Sequence, residues 1–224
     1  MATFRRVILA EGQVYHIFNR GIEKRTIFTT KWEYQRALEI IKYYRFSNLP
    51  FRLSQLLKLA KDEREQVLSE INKKNDKLVE IISFCLMPNH FHLILRQLQS
   101  DGIKKIISNF TNSYTKYFNT KHERVGPLFE GIFKAVLVES DEQLIHLSRY
   151  IHLNPVSSFL IPNEELENYI WSSLPEYLEN IDDGICSKDT VLSLFPSIES
   201  YHKFILDQIS YAQELDKIKH LTME

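Results

Sequence analysis

The chain has 224 residues, 44% of them hydrophobic and 25% charged, with a formal net charge of −1, a composition that suits a folded domain with a sizeable core and excludes a disordered chain. No run approaches the roughly 20 apolar residues of a membrane span, and the apolar stretch in the opening MATFRRVILAEGQ is too short for a signal peptide, so a cytoplasmic protein without membrane association is expected. Two widely separated cysteines, Cys85 and Cys186, supply neither a disulfide framework nor a paired-cysteine zinc site and read as buried thiols.

In chain order, the aromatic and β-branched run QVYHIFNRG, residues 13–21, predicts a strand that ends in an Asn-Arg-Gly turn. A helix follows, with Thr30 and Glu33 at capping-box spacing and Tyr34, Ala37, Leu38, Ile41 and Tyr44 at helical intervals. Residues 49–78 mix apolar positions with many Lys and Glu, and read as one or two amphipathic helices inserted before the next strand. VEIISFCLM, residues 79–87, is a buried strand; Pro88-Asn89 turns it into HFHLILR, giving a β-hairpin. From Asp101 the period lengthens, with Ile103, Ile106, Ile107, Phe110, Tyr114, Tyr117 and Phe118 on one helical face until Gly126-Pro127. LFEGIFKAVLV, residues 128–138, reads as a strand, and Ser140 with Gln143 opens a helix that Pro155 closes.

That order, a hairpin flanked by two strand–helix units, is the split βαβ arrangement. The expected fold class is α+β: a ferredoxin-like antiparallel sheet with helices on one face, an added helix carrying SRYIHLNPV and a mostly helical C-terminal extension. Charge divides the same way. Residues 1–155 hold 24 Lys+Arg against 16 Asp+Glu, a difference of +8, whereas residues 156–224 hold 4 against 13, a difference of −9. A basic body with an acidic tail suits a polyanionic partner.

Within CLMPNHFHLIL, residues 85–95, His90 and His92 share one strand face while Phe91 and Leu93 share the other. Two imidazoles about 7 Å apart along a strand can converge on one cation or anion; the alternative is a pair of structural histidines. A third ligand has to come from elsewhere. In RYIHLNPV, residues 149–156, Tyr150 and Asn154 are four apart and share a helix face, whereas His152 is turned by about 200°. An amide oxygen can coordinate a hard cation and a phenol can attack the phosphorus that the cation polarises. The alternative is a packed tyrosine and a helix-terminal asparagine. Tyr114 and Tyr117 rival Tyr150 as nucleophiles by residue type, but their apolar register favours the core.

The ordered set YHIFNRG, CLMPNHFHLIL, SYTKYFN, GPLFEGIFK, RYIHLNPV and YIWSS resembles the REP-associated tyrosine transposases, members of the single-tyrosine HUH transposases of bacterial insertion sequences. The resemblance implies that His90 and His92 form the HUH pair around Phe91, that Tyr150 is the nucleophile and Asn154 the third metal ligand, and that Mg²⁺ or Mn²⁺ is the cofactor. It further implies cleavage of single-stranded or hairpin DNA through a 5′-phosphotyrosine and religation by a second transesterification. Arg20, Lys104, Lys105, Lys116, Lys121, Arg124, Lys134 and Arg149 are candidate DNA contacts. Ile132 stands where the family usually has Arg. Residues 1–156 are read as the catalytic domain, with the insertion at about 49–78, and 157–224 as an acidic helical extension; monomer and homodimer are equally compatible. The other functional readings are an HUH replication initiator or relaxase, a domesticated nucleic-acid binder presenting aromatics from its sheet, and a zinc hydrolase, which lacks a compact motif for a further ligand.

Overall fold

The computed structural model describes residues 8–181 and 184–213; the parts of the extension at 182–183 and 214–224 lie outside the described residues. Four strands form the sheet: β1 (Val14–Arg20), β2 (Val79–Met87), β3 (His90–Gln97) and β4 (Lys134–Val138). Their order is β2-β3-β1-β4, antiparallel throughout, the split βαβ topology read from the element order.

Period-two alternation gives the sheet two chemically different faces. Tyr15, Ile17, Phe91, Leu93 and Leu95 point to one, where α1 (Lys31–Tyr44) and α4 (Gly102–Lys121) cover them. α4 contributes Ile103, Ile106, Ile107, Phe110, Tyr114 and Phe118, all buried, so Tyr114 is a core residue and its hydroxyl donates to the Ile27 carbonyl. On α1 the Glu33 carboxylate reaches back to accept from the Thr29 and Thr30 N–H groups, as the capping pattern predicted. It is fully buried and also receives the Lys121 ammonium at 2.7 Å.

The inserted segment forms two helices, α2 (Leu53–Leu56) and α3 (Lys61–Lys74), with Leu53, Leu56 and Ile71 buried against the α1 side of the core. The helix after β4, α5 (Asp141–Ser157), lies on the opposite face of the sheet. There Ile82, Cys85, Met87 and Ile94 form a second core with Leu144, Ile151 and Leu153 of α5 and with Tyr177, Tyr201 and Ile205 of the extension. The extension is built of a 3-10 turn and short helices, among them α6 (Leu174–Tyr177), α7 (Asp189–Leu192) and α8 (Ile198–Leu206). Cys85 is buried and Cys186 half-buried, and both are free thiols. No helix of the described residues is long and apolar enough to cross a membrane.

Two boundaries differ from the sequence expectation. The strand expected over 128–138 is regular only from Lys134; Gly131, at φ 39°, bends the chain, and Leu128 and Phe129 turn into the core. Phe129 keeps one isolated bridge to Gly21, and Glu130 N–H donates to the Arg20 carbonyl. Pro155 does not close α5, which continues to Ser157. Proline withholds its own N–H, and past the end of the helix its carbonyl accepts from Leu160 and Ile161 N–H.

Candidate active site

β3 places His90 and His92 on the face away from α1 and α4, with ring centroids 5.0 Å apart and perpendicular rings. The β1 register sets Arg20 opposite His90 and Phe18 opposite His92, so Arg20, Phe18 and His16 share that face. α5 crosses the same side and brings the Tyr150 ring to 5.5 Å from the His92 ring and 6.4 Å from the His16 ring, edge-on to both. Tyr150 is 41% exposed, whereas His92 is 6% exposed: the phenol is accessible beside an imidazole that is not.

His16 is the functional candidate that sequence reasoning missed. Its Nε2 lies 2.9 Å from His92 Nδ1, and the two rings stack. Burial pushes the His16 imidazole down to about 4, so it is neutral at pH 7 and either nitrogen of the pair can carry the shared proton. The clue was present in YHIF, since His16 and Phe18 alternate with the core residues Tyr15 and Ile17, but alternation does not reveal which strand lies alongside. His90 has an equivalent support: its Nδ1 is 2.6 Å from Asn89 Oδ1, and because an amide oxygen only accepts, Nδ1 is the protonated nitrogen. In both histidines Nδ1 is engaged by a neighbouring side chain. A ring held by its other nitrogen is the usual support of a metal-binding imidazole.

Asn154 lies one turn beyond Tyr150, 6% exposed, with Nδ2 donating to the Tyr150 carbonyl at 2.8 Å. That assignment leaves its amide oxygen as an acceptor. Among the described residues no group of three His, Cys, Asp and Glu is placed to hold a metal ion. Two imidazoles and an amide oxygen suit a borderline-to-hard divalent cation. His16 is a third imidazole beside the pair, but among the described residues it does not complete a group of three that could hold zinc. His152, in contrast, is fully buried on the other side of α5, between the Tyr201 hydroxyl at 2.8 Å and Ser173 Oγ at 2.7 Å; burial pushes it down to about 3.

The family model of IS200-like transposases matches residues 10–154, from the approach to β1 through the Tyr150 face of α5. The chain belongs to that family. By family it is a transposase, a DNA-cleaving enzyme. Among solved structures, a REP-associated tyrosine transposase bound to a REP hairpin superposes with a TM-score of 0.49 at 17% identity, over 84% of this chain and 90% of that one; the likeness is too distant to bear on function. A comparison with curated proteins finds no match.

This IS200-like transposase does not gather its eight candidate DNA contacts into one patch. Lys134 stands at the His-pair face, 5.8 Å over the Phe18 ring, and Arg20 is beside His90 in register but ion-paired to Glu130 at 2.6 Å. Lys104, paired to Asp101, lies on α4 with Lys105, Lys116 and Lys121, behind the other face. Arg124 holds the Asn119 amide oxygen at 2.6 Å and the Pro127 carbonyl. Arg149, although next to Tyr150 in sequence, stacks 4.0 Å over Phe204 and donates to its carbonyl. Ile132 is half-exposed.

Proposed function

We propose that this transposase is a metal-dependent single-stranded DNA endonuclease and strand transferase, with Tyr150 as nucleophile, His90, His92 and Asn154 as metal ligands, and Mg²⁺ or Mn²⁺ as cofactor. One observation carries the reading: a half-exposed phenol, delivered by a helix some sixty residues further along the chain, stands edge-on to an imidazole pair whose Nδ1 atoms are already held. The bound cation would neutralise the phosphodiester and stabilise the leaving 3′-oxygen.

The chain's own residues supply the remainder. Tyr150 loses its proton to water and its oxygen attacks phosphorus; the O–P bond to the 3′-oxygen breaks, that oxygen leaves with the electron pair and is protonated, and the 5′-phosphate stays on the tyrosine. A second 3′-hydroxyl then attacks the same phosphorus and returns the phenol. An aryl phosphate retains the energy of the broken bond, so rejoining needs no nucleotide. Asn89 and His16 hold the imidazoles, and Lys134 and Arg20 position the backbone of a single-stranded or hairpin DNA substrate. Residues 1–156 would form the catalytic unit and 157–224 its extension, acting in the cytoplasm.

Incubation with end-labelled single-stranded DNA and Mn²⁺ should give a denaturation-resistant protein–DNA adduct that Tyr150→Phe abolishes. His90→Ala should abolish the adduct too while DNA affinity changes less than about threefold. An undiminished adduct in Tyr150→Phe moves the nucleophile elsewhere, and binding without any adduct in the wild type favours a domesticated nucleic-acid binder.

A further inference from the structure

A large cavity lies away from the histidines. It is a groove of about 1300 Å³ between the outer face of α4 and the inserted segment, lined from one side by Lys105, Lys116 and Tyr117 and from the other by Phe51, Arg52 and Lys58. That exceeds the roughly 300–1,000 Å³ of small-molecule sites and suits a stretch of polymer. Among the described residues no Asp or Glu lines it, and none of Arg52, Lys58, Lys105 and Lys116 has a carboxylate within salt-bridge distance. Arg52, Lys58 and Lys116 face one channel together with Lys105, which also interacts with Asp101, and cations so grouped attract a polyanion.

The groove also carries flat surfaces and amides. Phe51 is 39% exposed, Tyr117 has the Arg36 guanidinium stacked 5.1 Å above its ring, and Asn109 and Asn112 line the α4 wall between the lysines. The inserted wall is held in place: the Tyr43 hydroxyl donates to the Phe51 carbonyl at 2.7 Å and the Tyr44 hydroxyl accepts from Leu53 N–H at 3.2 Å. Cations along a track with aromatic platforms are the pattern that binds single-stranded nucleic acid without reading sequence. Because the inner face of α4 packs on the side of the sheet opposite His90 and His92, a strand in this groove is separated from Tyr150 by the helix layer and the sheet.

We propose that the insertion and α4 form a second binding site, for a stretch of single-stranded DNA other than the one being cut. The proposal rests on the reading of the chain as a DNA-processing enzyme, but not on the identity of its nucleophile. The test uses the full chain and fluorescent oligothymidylate, with anisotropy measured across a salt series. Arg52→Glu/Lys58→Glu/Lys116→Glu should bind at least about tenfold more weakly, with a salt slope flatter by about 2 for three lost phosphate contacts. A charge-matched control on the outer helix, Lys61→Glu/Arg64→Glu/Lys73→Glu, should change affinity far less. Phe51→Ala should lose about fivefold or more through stacking. Photocrosslinking of 5-iodouracil DNA to the wild type, which needs no variant to fold, should label peptides containing Phe51 or Tyr117. Unchanged affinity and slope in the triple variant, crosslinks only elsewhere, or preference for a duplex over the single strand in the groove would each overturn the proposal. If the triple variant loses binding while the wild type forms no covalent adduct, the groove stands and strand transfer falls; adduct formation with binding unaltered in the triple variant gives the reverse.

Discussion

At the scale of single residues the active-site face is notable for how its imidazoles are held. His92 is clamped from β1 by His16 and His90 from the turn by Asn89, so each ring is oriented before any ligand arrives. Preorganisation of this kind is worth about 10–100-fold in metal affinity or rate when the supporting partner is removed. His16→Leu should therefore slow adduct formation by that factor and raise the Mn²⁺ concentration needed for half-maximal rate, while His16→Gln, which keeps a hydrogen-bonding group, recovers part of the loss. Equal rates in His16→Leu and the wild type across a Mn²⁺ titration would show that the contact has no part in the chemistry.

At the scale of elements, what matters is how α5 is fastened, because its placement decides whether Tyr150 meets the histidines at all. Its inner side carries a buried polar chain: Ser148 Oγ is 2.7 Å from the Tyr201 hydroxyl, His152 joins Tyr201 to Ser173, and Ser173 Oγ accepts from Phe84 N–H of β2 at 2.9 Å. A hydrogen-bonded chain inside a core fixes register as well as contributing stability, since a slipped helix would leave several buried groups unpaired. Tyr201→Phe leaves His152 Nδ1 and Ser148 short of a partner and should cost about 1–3 kcal/mol, measured by urea unfolding. The extension is thus part of what holds the helix that carries Tyr150, although it lies outside the span of the family match. Adduct formation by Tyr201→Phe should fall in rate more than DNA affinity falls, because the phenol and not the binding surface is displaced.

For the whole molecule the half-buried His16 and the fully buried His152 set an acid limit on stability. Burial pushes His16 down to about 4 and His152 down to about 3, from an ordinary value of 6.5. Below pH 6.5 the unfolded chain takes up these protons and the folded one does not, so stability is complete above pH 6.5 and falls as pH drops towards 4 and 3. For the fully buried His152 the slope approaches about 1.4 kcal/mol per pH unit well below 6.5. Glu33 acts in the same direction at lower pH. Burial alone would raise its pKa, but hydrogen bonds from Lys121, the Thr29 N–H and His122 outweigh that and bring it down to about 2, so its contribution is lost as pH falls from 4.5 towards 2. Melting temperature should hold from pH 7.5 to about 6.5 and then decline towards pH 5; a flat profile across the whole range would mean that these imidazoles are not held neutral in the fold.

From sequence alone, the strands, the crossing helices and the split βαβ order were legible, because period and capping are local: the spacing of Ile103, Phe110 and Tyr114, or of Phe91 between two histidines, is visible within a few residues. The pairing of His90 with His92, and of Tyr150 with Asn154, came from the same local geometry. What tertiary structure decided were the relations between distant segments. Only the β1–β3 register brings His16 to His92, only packing turns Arg149 onto Phe204 and away from the active-site face, and only the return of the inserted segment against α4 makes a groove from lysines that sequence scattered along the chain. The physical reason is that side-chain periodicity assigns a residue to a face, whereas its partners on that face depend on which elements the burial of apolar surface draws together.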